Sequence, residues 1–181
     1  VEFESDLNVG TVSAITVKYS GKPRVAKNPP WSGGVSWQKD KNGFHFIATS
    51  CQGIGASVWW PNKDHGYDEP DEGMSIQITV PEDLVAVSNG RLKKKLHDQE
   101  NQTRTFLWEV TNPINNYGVN MNIGNYVSFS ETFSGEGGDL DVDYWVLDHQ
   151  RETAKKHFKE APRTLRAFEH WFGQYPFYED S

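Results

Sequence analysis

Apolar and polar residues alternate along most of this chain. Met74, Ile76, Ile78 and Val80 fall on one side of a two-residue period, with Ser75, Gln77 and Thr79 on the other, as in a strand with one buried face. The same period recurs at Ile15, Val17 and Tyr19, at Phe44, Phe46 and Ala48, and at Phe106, Trp108 and Val110. It continues through Val119, Met121 and Ile123, then Val127, Phe129 and Phe133, then Leu140, Val142, Tyr144 and Val146. Asn42-Gly43, Asn89-Gly90 and Gly137-Gly138 stand between such runs, where hairpins reverse. The pattern predicts a mainly β fold, an antiparallel β-sandwich or a pair of saddle-like sheets.

After Asp148 the period changes. Phe158, Ala161, Leu165, Phe168 and Phe172 are spaced three or four residues apart and lay one apolar stripe along a helix. Pro162 divides it, predicting two short C-terminal helices: one over about 149–160, the second carrying Pro162 in its first turn. Gly173 supplies the stop. The expected organisation is therefore a β domain over 1–147 and the beginning of a helical domain over 148–181. The chain opens on Val1-Glu2-Phe3 without Met, and both units are expected to be truncated.

Composition narrows the function classes. Aromatic residues make up 13% of the chain, which supplies enough apolar area for a folded core. A net charge of -7 excludes a nucleic-acid partner, which needs concentrated positive charge. The basic run Arg91, Lys93, Lys94 and Lys95 reads as the solvated face of a hairpin strand. Cys51 has no second cysteine to pair with and reads as a small buried filler. That does not place the chain in the cytosol, since exported proteins without disulfides are common, and a periplasmic or secreted bacterial location is the expectation. No run approaches ~18 apolar residues, so no membrane span is expected.

Chemistry-bearing motifs are sparse. No two His stand in the H-E-x-x-H spacing that lets both imidazoles meet one metal, and Glu169-His170 reads as a polar helix flank. There is no G-x-S-x-G elbow and no phosphate-binding glycine loop. Asp139, Asp141 and Asp143 project from one face of a strand and invite a calcium test, but the EF-hand positions for Gly and Glu hold Tyr144 and Gln150. The second acidic cluster, Asp64, Asp68, Glu69, Asp71 and Glu72 around His65, reads as a turn bent by Pro70.

Four segments, in order, carry a resemblance: "SCQGIGASVWWPNKDHGYDEPD", "MSIQITVPEDLVAVSNG", "YGVNMNIGNYVSFSE" and "FEHWFGQYPFYED". Together they resemble the N-terminal β-domain and first catalytic helix of zinc metalloaminopeptidases of the aminopeptidase N and leukotriene hydrolase family. Trp60-Pro61 stands for the family's aromatic-proline pair, and Asp68-Glu69-Pro70 for its D-E-P turn. Pro81, Leu84, Ala86, Ser88 and Asn89 match the following strand and turn. The resemblance covers about residues 44–180. It implies that Gln52 binds the free α-amine of a peptide substrate and that Gly53 lines the first specificity pocket. It also implies a zinc ion in the parent protein, held by ligands outside this segment, a peptide as substrate, and packing of the β domain on its own catalytic domain. The segment alone is expected to be inactive. The rival is a stand-alone β-sandwich binding module for a glycan or protein ligand, using exposed rings such as Trp31 or Trp59.

Overall fold

A computed structural model of the chain describes residues 8–51, 53–63 and 65–180. Nine strands form three antiparallel sheets. The first contains β1 (Gly34–Lys39), β2 (His45–Ser50), β7 (Asn122–Gly124) and β4 (Val85–Val87), in that order. The second has β6 (Thr103–Val110) between β3 (Met74–Pro81) and β5 (Arg91–Asp98). The third is the hairpin of β8 (Tyr126–Gly135) and β9 (Gly138–Leu147). A continuous helical stretch follows, made of α1 (Arg151–His157), a 3-10 turn over Phe158–Glu160 and α2 (Ala161–Phe172).

The core lies between the first two sheets, because each strand that meets it turns its apolar set inward. Ile76, Ile78 and Val80 of β3 join Phe106, Trp108 and Val110 of β6, all buried, and across from them lie Ala86 and Ile123. Trp108 joins all three sheets. Its buried indole N–H donates to the Ala86 carbonyl at 3.1 Å, tying β6 to β4, and its ring meets Trp145 of β9 edge to face at 5.6 Å.

The helical stretch runs along the β8–β9 hairpin. Phe158 stacks on Tyr144 at 4.7 Å, and the Arg166 guanidinium lies 5.6 Å from the Phe133 ring centre. At the hairpin tip, Glu136 N–H donates to the buried Glu169 carboxylate at 3.0 Å, and Gly137 N–H donates to the Tyr178 hydroxyl at 3.2 Å. A Cβ on Gly135 would stand 2.6 Å from Glu169 Oε1 and 2.7 Å from the Tyr178 hydroxyl, so only glycine lets the tip come this close. Pro162 sits in the first turn of α2, and Gly173, at φ +87, ends that helix.

Three readings of the sequence are corrected. Ile15, Val17 and Tyr19 are more than half exposed and lie in no strand; their alternation has no ladder to join among the described residues. Asn89-Gly90 is not a hairpin: β4 pairs with β7 and β5 with β6, so this turn carries the chain from one sheet to the other. Glu169 is not a polar flank but the buried acceptor at the hairpin tip.

Replacing Trp108 with Phe keeps a ring but leaves the Ala86 carbonyl unpaired beside a void. We expect a loss of about 2–4 kcal/mol, read as a lower urea midpoint with an unchanged denaturant slope.

Candidate functional site

The candidate site is the loop that leaves the end of β2. That strand has a neighbour on each side, β1 and β7, so its end is held in register by two ladders. Beyond Ser50 the chain turns at once: the Cys51 carbonyl accepts from Ile54 N–H at 3.2 Å and from Gly55 N–H at 2.7 Å. Gln52 lies outside the described residues, as does Asp64. Gly53 is exposed, and a Cβ built on it would meet nothing, so this turn opens onto free space.

Cys51 beneath it is 5% exposed. Burial pushes its thiol pKa up, against weaker lowering by the Trp59 side chain and the Ser50 backbone, so the thiol stays protonated and is no nucleophile. Trp59 and Trp60 meet edge to face at 6.3 Å and are half-buried against the core. Neither is offered as a flat platform, and the well-exposed Trp31 and Trp37 belong to the β1 side of the sheet.

An asparagine network holds the loop's far end. Asn116 is 5% exposed and donates its side-chain amide to the carbonyls of Lys63 at 2.8 Å and His65 at 2.9 Å. Asn115 caps the 3-10 turn over Asn116–Gly118 by accepting from Gly118 N–H at 2.7 Å. Asn89 donates to the Gly118 carbonyl at 3.0 Å and accepts from Asn120 N–H at 2.8 Å. The turn after β4 and the segment before β7 are thereby locked beside the loop.

The C-terminal segment docks at this same end of the sheets. Arg91 donates through Nε to the Glu179 carbonyl and through Nη2 to the Tyr178 carbonyl, each at 2.8 Å. It is thus a docking residue and not, as the sequence suggested, part of a solvated face. The Asp180 carboxylate accepts from Thr111 N–H at 2.7 Å and from Asn112 N–H at 2.9 Å. Burial alone would raise its pKa, but the hydrogen bonds from Asn112 and Thr111 together hold it below its ordinary value of 3.8. Sequence reasoning missed Asn116 and Asp180. The available signal was the density of asparagine at positions 112, 115, 116, 120, 122 and 125.

The other acidic candidates have partners of their own. Asp139 accepts from the Ser134 hydroxyl at 2.8 Å, Asp143 accepts from Ser130, and Asp141 faces Arg91 at 3.9 Å. Lys63 and Asp68 pair at 2.8 Å in the exposed loop. Among the described residues no three His, Cys, Asp or Glu side chains converge as metal ligands would, so a zinc ion finds no site built from them. No helix among them is long and apolar enough to cross a membrane.

No family model matches the chain, and no curated protein sequence matches it. Solved structures do. A variant of a two-domain M1 zinc metallopeptidase bound to L-tryptophan gives a TM-score of 0.70 at 19% identity, over 87% of this chain and 35% of that one. A variant of the M1 zinc metallopeptidase of Deinococcus radiodurans, bound to a Tyr-Ser-Ala substrate, gives 0.69 at 18% identity over the same shares. Aminopeptidase A of Legionella pneumophila, in complex with aspartic acid, gives 0.58 at 14% identity, over 78% of this chain and 16% of that one. This chain therefore has the fold of one part of the M1 zinc metallopeptidases, and it spans about a third of the length of the first two.

Two outcomes follow from the geometry. Asn116→Ala strips the Lys63 and His65 carbonyls of their buried side-chain donor and should cost roughly 1–3 kcal/mol in chemical denaturation, with faster amide exchange in the loop around His65. Asp180 has a depressed folded pKa, so its contribution is complete above the unfolded value near 3.8 and is lost as pH falls through the lower folded value. The Thr111 and Asn112 amide resonances should titrate with a midpoint below 3.8, and Asp180→Asn should abolish that titration.

Proposed function

We propose that this chain is the substrate-entrance portion of a zinc metalloaminopeptidase, a β domain over 1–147 followed from 148 by the opening of the catalytic domain. The observation that carries the reading is the shared fold over 87% of the chain, with solved peptidases about three times its length. In this reading Gln52 accepts a hydrogen bond from the substrate's free α-ammonium, and the small Gly53 leaves room for the first side chain. An amide oxygen suits this task, since it marks where a peptide begins without needing its own charge balanced.

Three features support the assignment. The Cys51 carbonyl, at the end of a strand held by two ladders, accepts from both Ile54 N–H and Gly55 N–H, so the backbone at Ile54 and Gly55 is fixed. Gly53 faces open space, as a residue lining a pocket completed by further polypeptide would. The apolar stripe of α2 is only partly covered: Phe168 is 57% exposed, Trp171 76% and Phe172 83%. Rings left open beside the docked C-terminal segment suit packing on the rest of a catalytic domain. That domain would hold the zinc ion, which activates the attacking water when bound.

The test uses the full-length parent enzyme. Gln52→Ala should lower kcat/KM for substrates with a free amino terminus by about tenfold to a hundredfold, the value of one hydrogen bond to a charged group. Weak hydrolysis of amino-acetylated analogues should not change. Equal efficiency of variant and wild type on free-amine substrates would remove Gln52 from the site. The 181-residue chain, supplied with zinc, should hydrolyse neither.

A further inference from the structure

At the opposite end of the sheets from Gly53, a groove of about 410 Å³ opens between the β5–β6 pair and the β8–β9 hairpin. Its lining includes Lys95, His97, Arg104 and Arg151 and no carboxylate, in a chain whose net charge is -7. Trp145 and Tyr126 form its apolar wall, and burial pushes the Tyr126 hydroxyl pKa up.

A backbone irregularity decides which β5 side chains face this groove. Leu92 pairs with Trp108 on the core face of the sheet, and regular alternation would next bring Lys94 and then Leu96 to that face. The register instead shifts between Leu92 and Lys94. After this bulge Lys95 stands opposite the buried Phe106 and His97 opposite Arg104, while Leu96 is turned out and is 49% exposed. The core-side face of β5 thus carries His97 where alternation predicts Leu96, and a lysine opposite Phe106 in either register. A bulge that re-aims side chains at the cost of exposing a leucine is a feature of sites rather than of solvated faces.

Most of that charge has no partner. His97 pairs with Glu82 at 2.8 Å, and Lys95 lies 5.4 Å from the Trp145 ring centre. Arg104 and Arg151 make no hydrogen bond or ion pair with any described residue. Two guanidinium forks and an ammonium around one concavity match oxyanions, which accept paired N–H donors.

We propose that this groove binds a small polyanion, a molecule carrying two or more carboxylate or phosphate groups. Arg104 and Arg151 hold its oxygens, and Lys95, steadied over Trp145, completes the charge balance. This does not depend on the peptidase reading, because none of these residues belongs to the turn after β2.

The test is calorimetric titration of the 181-residue chain at low ionic strength with inorganic pyrophosphate and, separately, citrate. Saturable binding of one molecule per chain by either probe is expected. Tighter pyrophosphate binding assigns a phosphate ligand, tighter citrate binding a carboxylate one, and equal binding their shared oxyanion chemistry. Arg104→Gln and Arg151→Gln, both exposed and expected to fold, should each weaken binding about tenfold. Lys63→Gln, which removes a cation paired with Asp68 at the other end of the sheets, should leave it unchanged. The proposal is overturned if neither probe saturates, if both arginine variants bind like wild type, or if Lys63→Gln weakens binding as much as they do.

Discussion

The buried hydrogen bond from Trp108 to the Ala86 carbonyl is the constraint on which the arrangement of this chain depends. Burying an indole N–H without a partner costs free energy, and the largest side chain of β6 avoids that cost by pointing its N–H at a neighbouring backbone acceptor. That acceptor lies in the other sheet, on β4, so one bond sets the sheets relative to each other. Through β4 and β7 the constraint reaches β2 and the turn beyond it. Through the contact with Trp145 it reaches the third hairpin, and with it the helical stretch.

The two ends of the sheets have different characters. At one, backbone carbonyls and amides are satisfied by asparagine, arginine and aspartate side chains, which lock the loop after β2, the turn after β4 and the C-terminal segment together. At the other, charged side chains stand open around Trp145. The helical stretch starts near the second end, where His149 faces the buried Asp40 at 3.7 Å, and finishes at the first. Each end is therefore held by contacts that do not involve the other, and a substitution in one is expected to leave the other's geometry intact.

The helices illustrate how burial completes a pattern. Phe158 stacks on Tyr144 of the β8–β9 hairpin, while Phe168 and Phe172, on the same stripe, meet each other at 5.9 Å and stay exposed. Periodicity reports which residues seek cover. It does not report whether cover is present.

Most of the fold was legible in the residues. The alternation at 74–80, 106–110 and 140–146 located β3, β6 and β9, the three-four spacing located the helices, and Gly173 marked their end, since these signals are set by backbone geometry within a few residues. Cys51 was recognisable as filler for the same local reason. Pairing was another matter: Ile15, Val17 and Tyr19 alternate as well as any strand yet join no ladder, and Asn89-Gly90 has hairpin chemistry yet crosses between sheets. A strand's partner is chosen by side chains distant in sequence, through burial that no local period records. The buried Asn116, the carboxylate of Asp180 and the bulge at Lys93 are decided in the same way: a polar group or an extra residue acquires its role only when packing brings the backbone that it must satisfy, or the wall that it must face.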